Sequence, residues 1–191
     1  MMRPVLLCQG FHQAFIDRSS MLFSESAAMR RSVCETLIRH ARYAGWIVVH
    51  SFLDTESVRA AGASSIQNFA PLPSEPYFRQ KGLSAFSNPA FERMIAQHDM
   101  APIFLASFAG IGVISATLLD AIERRFMLSV ITDTAADSAQ GGVSEYHRLA
   151  AIETLARACD SAVTCNDLMA LAATPITSSP RHLLSQIRGG A

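Results

Sequence analysis

Short apolar segments and segments with helical spacing alternate along the chain. The apolar segments, which are typical of buried strands, cover 4–9, 46–52, 102–108, 126–132 and 161–165. Between and after them, apolar residues recur at helical spacing over 24–44, 88–98, 112–125, 143–159 and 166–173. Asn88 and Asn166 are predicted to cap the second and the last of these helices. The segment 54–76 is rich in Ser, Ala, Gly and Pro, which predicts a long irregular excursion.

Strands that alternate with helices predict a parallel sheet covered by helices on both faces. We therefore expect a single α/β domain over 1–191 with a three-layer α/β/α, Rossmann-like arrangement and a mostly parallel sheet of about six strands. Its core covers about 4–173, and the polar tail 174–191 contains a short helix at 181–187. In such a sheet a ligand binds at the carboxyl ends of the strands, near the point where the strand order reverses.

The composition narrows the classes of function. Half of the 191 residues are hydrophobic, 17% are charged, and the formal net charge is zero. With so few charged residues, a monomer would leave part of its apolar surface exposed to water. Self-association would cover that surface, and we therefore expect a homo-oligomer. Without a basic excess, nucleic acid is not an expected partner. No apolar segment approaches the roughly 18 residues of a membrane span, so we expect no membrane contact and a cytoplasmic location.

The cysteines are not arranged as ligands or bridges. Cys8, Cys34, Cys159 and Cys165 form no CxxC pair and have no histidine at metal-ligand spacing. Reduced, buried thiols are therefore expected rather than a zinc site or a disulfide framework. Asp133, at the end of a predicted strand, is interpreted as a cap or turn residue.

One lysine, Lys81, stands among 16 basic residues of which all the others are arginine. An ammonium is a compact point charge whose pKa burial can shift, which suits proton transfer or carboxylate binding. A genome that favours arginine codons is the alternative explanation. The residues around Lys81 decide between the two.

Four short sequence segments resemble those of a known family. They are Val5-Leu6-Leu7 with Phe15-Ile16, Lys81 with Ser84-Ala85-Phe86 and Asn88, 117–121 (TLLDA), and 133–136 (DTAA). In this order and spacing, the chain resembles the isochorismatase-like cysteine hydrolase family from about Pro4 to Asn166. That family includes isochorismatases, nicotinamidases and carbamoylases. The resemblance implies a hydrolase fold and a dimer or tetramer, and it turns the interpretation of Lys81 toward a pocket role.

The resemblance implies a catalytic triad of a strand-end Asp, a Lys before the Ser-Ala-Phe motif, and a Cys that opens a helix. Lys81 matches the family lysine, whereas Gly10 stands at the position of the Asp and Val113 at the position of the Cys. Glycine cannot accept a proton and valine cannot attack a carbonyl, so the thioester route is closed. A vinyl-ether route that uses only the Asp would tolerate Val113 but not Gly10.

We expect an anion-binding pocket to remain although the catalytic groups are replaced. Backbone N–H groups at the start of the helix predicted at 112–125 can bind an anion, and Gly110 and Gly112 allow a ligand to approach closely. We expect the pocket to be lined by Lys81, Gly10, Phe11 and 110–113, which includes Ile111, and its ligand to be a small, anionic molecule. No cofactor and no metal are expected, because the strand-end residues His50 and Asp54 lack further ligands at the usual spacing.

Three functional hypotheses follow. The first is a family member that has lost hydrolysis and persists as a binding or assembly module. The second is an active hydrolase of an amide, ester or vinyl ether through rearranged groups such as His12 with Lys81, or a displaced thiol at Cys8; it requires that His12 and Lys81 meet in one cavity. The third is an oligomeric partner of an active paralogue.

Overall fold

The computed structural model describes residues 3–98, 101–137 and 144–171. Within these ranges six strands form one sheet in the order β3-β2-β1-β4-β5-β6, and every neighbouring pair is parallel. The strands are β1 (Val5–Gln9), β2 (Ile47–Leu53), β3 (Tyr77–Gln80), β4 (Ile103–Ser107), β5 (Leu128–Ile131) and β6 (Ala162–Val163). The predicted fold class is confirmed.

The described residues form six α-helices beside the sheet. They are α1 (Glu25–Tyr43), α2 (Glu56–Ala60), α3 (Pro89–Ala96), α4 (Gly110–Glu123), α5 (Glu145–Ala158) and α6 (Cys165–Leu171). Polar side chains start several of them: the Ser24 hydroxyl accepts from the Ala27 N–H at α1, and the Asn88 carbonyl accepts from the Ala90 N–H at α3, as predicted. Gly45, in the left-handed region with φ +71, ends the turn after α1.

Side chains of alternate strand residues fill two hydrophobic cores, one on each face of the sheet. In β1, Leu6 and Cys8 pack with α1 and α6, whereas Val5 and Leu7 pack with α3, α4 and α5. Because both faces of the sheet are buried, the strand sequences are continuous runs of apolar residues and do not alternate between apolar and polar residues. This arrangement is the three-layer sandwich expected from the sequence.

The segment 54–76 is less irregular than predicted, and the strand that follows it was missed. Thr55 caps α2, its hydroxyl accepting from the Val58 N–H, and a 3-10 turn spans Gln67–Phe69. Among the described strands, the edge strand β3 pairs with β2 alone, and its exposed residues Tyr77 and Arg79 alternate with the less exposed Phe78 and Gln80. Tyr77 and Phe78 favour a strand, but a segment of only four residues that ends in Arg79 and Gln80 is too short to give a clear signal, so pairing with β2 decides that strand.

The last described helix begins one residue before the predicted cap. Asn166 lies inside α6, which starts at Cys165. The Asp133 carboxylate accepts a hydrogen bond from the Cys165 N–H at 2.9 Å, so Asp133 is a capping residue, although of a distant helix rather than of its own turn. The helix predicted at 181–187 lies outside the described residues. None of the described helices is long and apolar enough to span a membrane.

Candidate functional site

The strand order reverses beside β1. From β1 the chain moves outward to β2 and β3, then returns to place β4 on the other side of β1. The crevice between the carboxyl ends of β1 and β4 is therefore the expected ligand position in this fold. Gln9, the last residue of β1, is in register with Ser51 of β2 and Ser107 of β4.

A network of neutral polar side chains lies at this edge of the sheet. The Gln9 amide donates to Gln80 Oε1 at 3.1 Å and to Thr117 Oγ1 at 2.8 Å. The Ser51 hydroxyl donates to the same Gln80 oxygen at 2.7 Å, and the Ser107 hydroxyl approaches Gln9 Oε1 at 3.4 Å. All five residues are buried. The side chains thus join four strands and α4 without any ionisable group among them.

Backbone groups complete the network. The Gln80 amide donates to the carbonyls of Gly82 and Leu83 at 3.2 and 3.0 Å, and the Ala85 N–H donates to the Thr117 hydroxyl oxygen at 3.1 Å. Each polar side chain therefore has partners, as buried amides require. We call Gln9, Ser51, Gln80, Ser107 and Thr117 the amide network.

Gly10, at the position that the resemblance gives to the catalytic acid, has no room for a side chain. Its backbone is left-handed, with φ +70, and a Cβ built on it would lie 2.7 Å from the Cβ of Ala109, which follows β4. Glycine is thus required here both by conformation and by close approach of the two strand ends. The carboxyl ends of β1 and β4 touch at the expected crevice.

The N-terminus of α4, the expected anion site, lies against an anion of the chain itself. Gly110 has φ +82, and a Cβ on it would collide with the Asp137 carboxylate. The Gly110 N–H donates to the Ala136 carbonyl at 3.1 Å, and Asp137 pairs with Arg148 of α5. Asp137 therefore supplies negative charge at the positive end of the helix.

The other residues expected to line the pocket are divided between core and surface. Phe11 is 2% exposed; its ring centroid lies 4.6 Å from that of Phe108 and 5.1 Å from that of Phe69. Val113 is buried in the same core. Ile111 is partly buried in the opposite core, and Gly112 is exposed with open space at its α-carbon.

Gln80, the last residue of β3, and Lys81, which follows it, differ in exposure. Gln80 is 1% exposed and joins the amide network, whereas Lys81 is exposed. The alternation of side chains along a strand separates the two. Lys81 therefore lies near the expected edge of the sheet, with its side chain on the outer surface.

His12, which the second hypothesis pairs with Lys81, is a buried residue. It is 1% exposed, and its ring packs edge-on against Phe15 and Phe52, with centroids 5.7 and 5.3 Å away. Among the described residues, neither ring nitrogen has a hydrogen-bond partner. Burial lowers the pKa of the His12 imidazole to about 4, so the ring is neutral at pH 7.

A cavity of about 510 Å³ adjoins His12 at the carboxyl end of β2 and along β3. Phe52, Leu53, Tyr77 and Arg79 contribute from the strands, while Ala63, Ser65, Pro71, Leu72 and Pro73 contribute from the preceding loop, and His12, Asp54 and Glu75 complete the lining. Lys81 is not among these residues, so the pairing of His12 and Lys81 that the second hypothesis needs is not found in this cavity.

The thiols of Cys8, Cys34 and Cys165 are buried, as expected, whereas that of Cys159 is half-buried. Burial raises the pKa of the Cys8 thiol well above its ordinary value, and burial likewise raises the pKa of Cys34. Burial, with the nearby Asp133 carboxylate, raises the pKa of Cys165 to about 11. These three groups are protonated at neutral pH and are poor nucleophiles.

The charged groups near the cavity are paired. The Glu75 carboxylate accepts from Arg42 Nε at 2.8 Å, contacts His50 Nε2 at 2.9 Å and accepts from the Leu72 N–H at 2.9 Å. Asp54 lies 3.7 Å from Arg59 and 3.9 Å from Arg79. Among the described residues, no group of three or more His, Cys, Asp or Glu side chains is placed to hold a metal ion.

Sequence reasoning missed the amide network. Gln9 ends an otherwise apolar strand run, and Thr117 lies in the apolar stripe of α4. A glutamine inside a fully buried run is the signal that could have identified the network, since such an amide needs partners. The partner Gln80 was hidden in the missed strand β3.

Comparison with known proteins identifies the domain. The family model described as "Isochorismatase domain" matches residues 4–166. No curated protein matches the chain. A cysteine hydrolase from Pseudomonas syringae pv. phaseolicola 1448A has a similar structure, with a TM-score of 0.79 and 16% identity over 90% of this chain and 93% of that chain.

Two further solved structures are similar. An isochorismatase family protein from Desulfovibrio vulgaris subsp. vulgaris str. Hildenborough has a TM-score of 0.74 at 17% identity, over 90% of this chain and 100% of that chain. N-carbamoylsarcosine amidase from Thermoplasma acidophilum has a TM-score of 0.61 at 18% identity, over 71% of this chain and 84% of that chain. At these identities the likeness shows a shared fold.

Proposed function

Because the chain belongs to the isochorismatase family, whose domain matches residues 4–166, we propose that it keeps the family's hydrolase fold but not its hydrolysis. In this proposal the protein is a binding or assembly module. Lys81 is the one position that matches the family triad, with Gly10 and Val113 in place of the acid and the nucleophile.

The amide network carries this proposal. Hydrolysis through a thioester needs a thiolate and a proton acceptor side by side. At the carboxyl ends of β1 to β4, the buried side chains that meet are Gln9, Ser51, Gln80, Ser107 and Thr117, which do not ionise near neutral pH. Their hydrogen bonds to one another favour a structural role over a reactive one.

The surroundings of the two replaced positions support the same proposal. The contact of Gly10 with Ala109 leaves no room for a carboxylate at the end of β1, and Val113 packs in the core. The buried thiols have raised pKa values, so none of Cys8, Cys34 and Cys165 is a ready substitute nucleophile.

A hydrolysis screen tests the proposal. Purified protein is incubated with nicotinamide, N-carbamoyl amino acids, simple esters and isochorismate, and the products are quantified by chromatography. The amidase from Thermoplasma acidophilum serves as the active control. We expect no turnover above background, because the groups that would attack and transfer protons are absent from the network.

The variant Lys81→Ala makes the screen decisive for the second hypothesis. Lys81 is exposed, so its removal leaves the fold intact. Turnover by the wild-type protein at enzymic rates that disappears in Lys81→Ala would mean that the chemistry has moved to new groups around this lysine. That result would overturn the proposal.

The proposal includes self-association as a dimer or tetramer. Leu119 and Ile122 are 48% and 44% exposed and lie one turn apart on α4, where a second copy could cover them. Light scattering measures the molecular mass of the assembly in solution, and we expect the variant Leu119→Lys to have a lower mass than the wild-type protein. An unchanged mass in that variant would exclude this face as the contact.

A cytoplasmic location is also proposed, supported by the four free cysteines.

We do not extend the proposal to an anionic ligand. Such a ligand would meet the N-terminus of α4, where the Asp137 carboxylate already lies. The exposed Lys81 alone offers no enclosed site.

A further inference from the structure

The His12 imidazole is a buried polar group without a partner beside a cavity. Both ring nitrogens are closed to water and unbonded within the described part of the chain, and His12 lines the cavity of about 510 Å³. A buried donor or acceptor without a partner is unfavourable, whereas a ligand that supplies the partner gains that free energy on binding. This volume is typical of small-molecule sites.

We propose that this cavity binds a small, uncharged molecule that has an aromatic or apolar body and one hydroxyl or amide group, and that this group hydrogen-bonds to His12. The inference deepens the proposed binding role and depends on it for its biological meaning. A rotation of the imidazole side chain presents one of its nitrogens to the ligand.

The backbone around His12 is held firmly at the end of β1. The Gln13 N–H donates to the Ser64 carbonyl at 2.8 Å, and the Ile66 N–H donates to the Phe11 carbonyl at 3.2 Å. These bonds pair residues 11–13 with the loop that forms one wall of the cavity. In the proposal, the backbone at His12 therefore stays in place, and the side-chain torsions of His12 bring the ring to a ligand.

The charges of the cavity favour a neutral ligand. Glu75 is engaged by Arg42, His50 and the Leu72 N–H, and Asp54 is paired with Arg59 and Arg79 at the rim. A neutral imidazole adds one donor and one acceptor but no charge. An ionic ligand would leave water for a site that offers it no unpaired countercharge.

The walls of the cavity favour an aromatic or apolar body. The Phe52 and Tyr77 rings meet edge-on with centroids 5.9 Å apart, and Leu53, Pro71 and Leu72 form adjoining surface. Tyr77 and Leu72 are 56% and 45% exposed, so a ligand would cover apolar surface that now faces water. Aromatic faces and proline rings are good contacts for a flat molecule.

Benzamide, toluene and benzoate are suitable probes, because they share one ring and differ in the polar group. Each is titrated into 15N-labelled full-length protein while the imidazole signals are followed by NMR. We expect benzamide to bind with a Kd at or below about 10 mM, to shift the His12 ring signals, and to bind more tightly than benzoate. Toluene should bind without the shift that a hydrogen bond causes.

The variant His12→Phe removes both ring nitrogens and retains a ring, and His147→Phe, on the exposed side of α5, is its matched control. We expect His12→Phe to raise the Kd of benzamide at least about tenfold and to leave that of toluene unchanged, with no effect of His147→Phe. The wild-type His12 signals give a readout even if the variant does not fold.

Three results would overturn the inference: no benzamide binding at about 10 mM, equal benzamide affinity in His12→Phe, or tighter binding of benzoate. The same samples report separately on the proposed loss of hydrolysis. Formation of benzoate from benzamide at enzymic rates would contradict that loss while leaving the binding site in place.

Discussion

At the scale of single residues, two glycines on the same edge of the sheet have opposite environments. Gly10 has a positive φ, and its α-carbon faces the Ala109 side chain. Gly112 lies in the first turn of α4 with open space around it. The fold therefore requires glycine at the first position and only tolerates it at the second.

Gly10→Ala is expected to lower the free energy of unfolding by about 1–3 kcal/mol, because it forces a Cβ against Ala109 in a left-handed backbone. Gly112→Ala is the matched control and is expected to stabilise by up to about 1 kcal/mol through helix propensity. Urea unfolding of both variants measures the difference. Equal effects of the two substitutions would contradict the close approach of the strand ends.

The amide network makes a second prediction at this scale. Thr117→Val is expected to lower the free energy of unfolding by about 2 kcal/mol, because the Gln9 amide and the Ala85 N–H both lose their acceptor in the core. Thr154→Val on α5 is the control, since that hydroxyl is exposed and donates to the Ala150 carbonyl of its own helix. Thr154→Val should lower the free energy of unfolding by less than about 0.5 kcal/mol.

Chemical denaturation of the two threonine variants is the measurement. The buried substitution should shift the midpoint and leave the slope unchanged, as expected for a change in stability alone. If Thr117→Val were as stable as Thr154→Val, the network would not contribute to stability, and its neutral character would need another explanation.

At the scale of elements, one carboxylate ties the loop before β3 to the rest of the fold. Glu75 connects this loop with Arg42 at the end of α1 and His50 in β2. Arg42 also donates to the Ala70 carbonyl at 2.9 Å. The position of the loop, and hence one wall of the cavity at His12, depends on this cluster.

Glu75→Gln is expected to lower the free energy of unfolding by about 2 kcal/mol, because Arg42 loses its charged partner in a partly buried site. Glu153→Gln is the control: Glu153 pairs with Arg157 on the surface of α5, and such a pair contributes under about 0.5 kcal/mol. Hydrogen exchange of the Ala70, Leu72 and Ser74 amides should quicken only in Glu75→Gln. Unchanged exchange there would show that other contacts hold the loop.

At the scale of the whole molecule, buried ionisable groups should make the fold sensitive to acid. Burial lowers the pKa of His12 from 6.5 to about 4, and burial also lowers that of His50, against the opposing effect of Glu75. Burial opposes the ionisation of Glu75, but hydrogen bonds from Arg42, Leu72 and His50 outweigh it and hold its pKa at about 2, below the ordinary 4.5.

The sign of each contribution follows from these shifts. His12 contributes stability that is complete above pH 6.5 and is lost as the pH falls to about 4, because the unfolded chain takes up a proton that the folded chain does not. Glu75 contributes stability that is present above pH 4.5 and is lost toward pH 2. Stability should therefore decline throughout acidification below pH 6.5.

His12→Phe tests the upper window. Between pH 6.5 and 4 the wild-type protein should lose up to about 3 kcal/mol relative to this variant. Urea midpoints at several pH values, with His147→Phe alongside, measure the difference. Parallel pH profiles of wild type and His12→Phe would mean that His12 is not buried as a neutral ring.

The sequence by itself determined the architecture and the family. Apolar segments such as 4–9 and 102–108 are long enough to show buried strands without knowledge of their partners, and helical spacing with capping residues such as Asn88 located the helices between them. These signals are local, since each depends on neighbours within one or two turns of the chain. The matching segments around Phe15, Lys81 and 117–121 sufficed for the resemblance.

Only the tertiary structure decided the edge strand and the site. β3 exists because β2 offers it hydrogen bonds, and its formation turns Gln80 inward and Lys81 outward. The amide network joins residues as far apart in sequence as Gln9 and Thr117. Likewise, the contact of Gly10 with Ala109 and the cavity beside His12 are formed by segments distant in the chain. Such contacts depend on which strands become neighbours, and no local pattern of residue types carries that information.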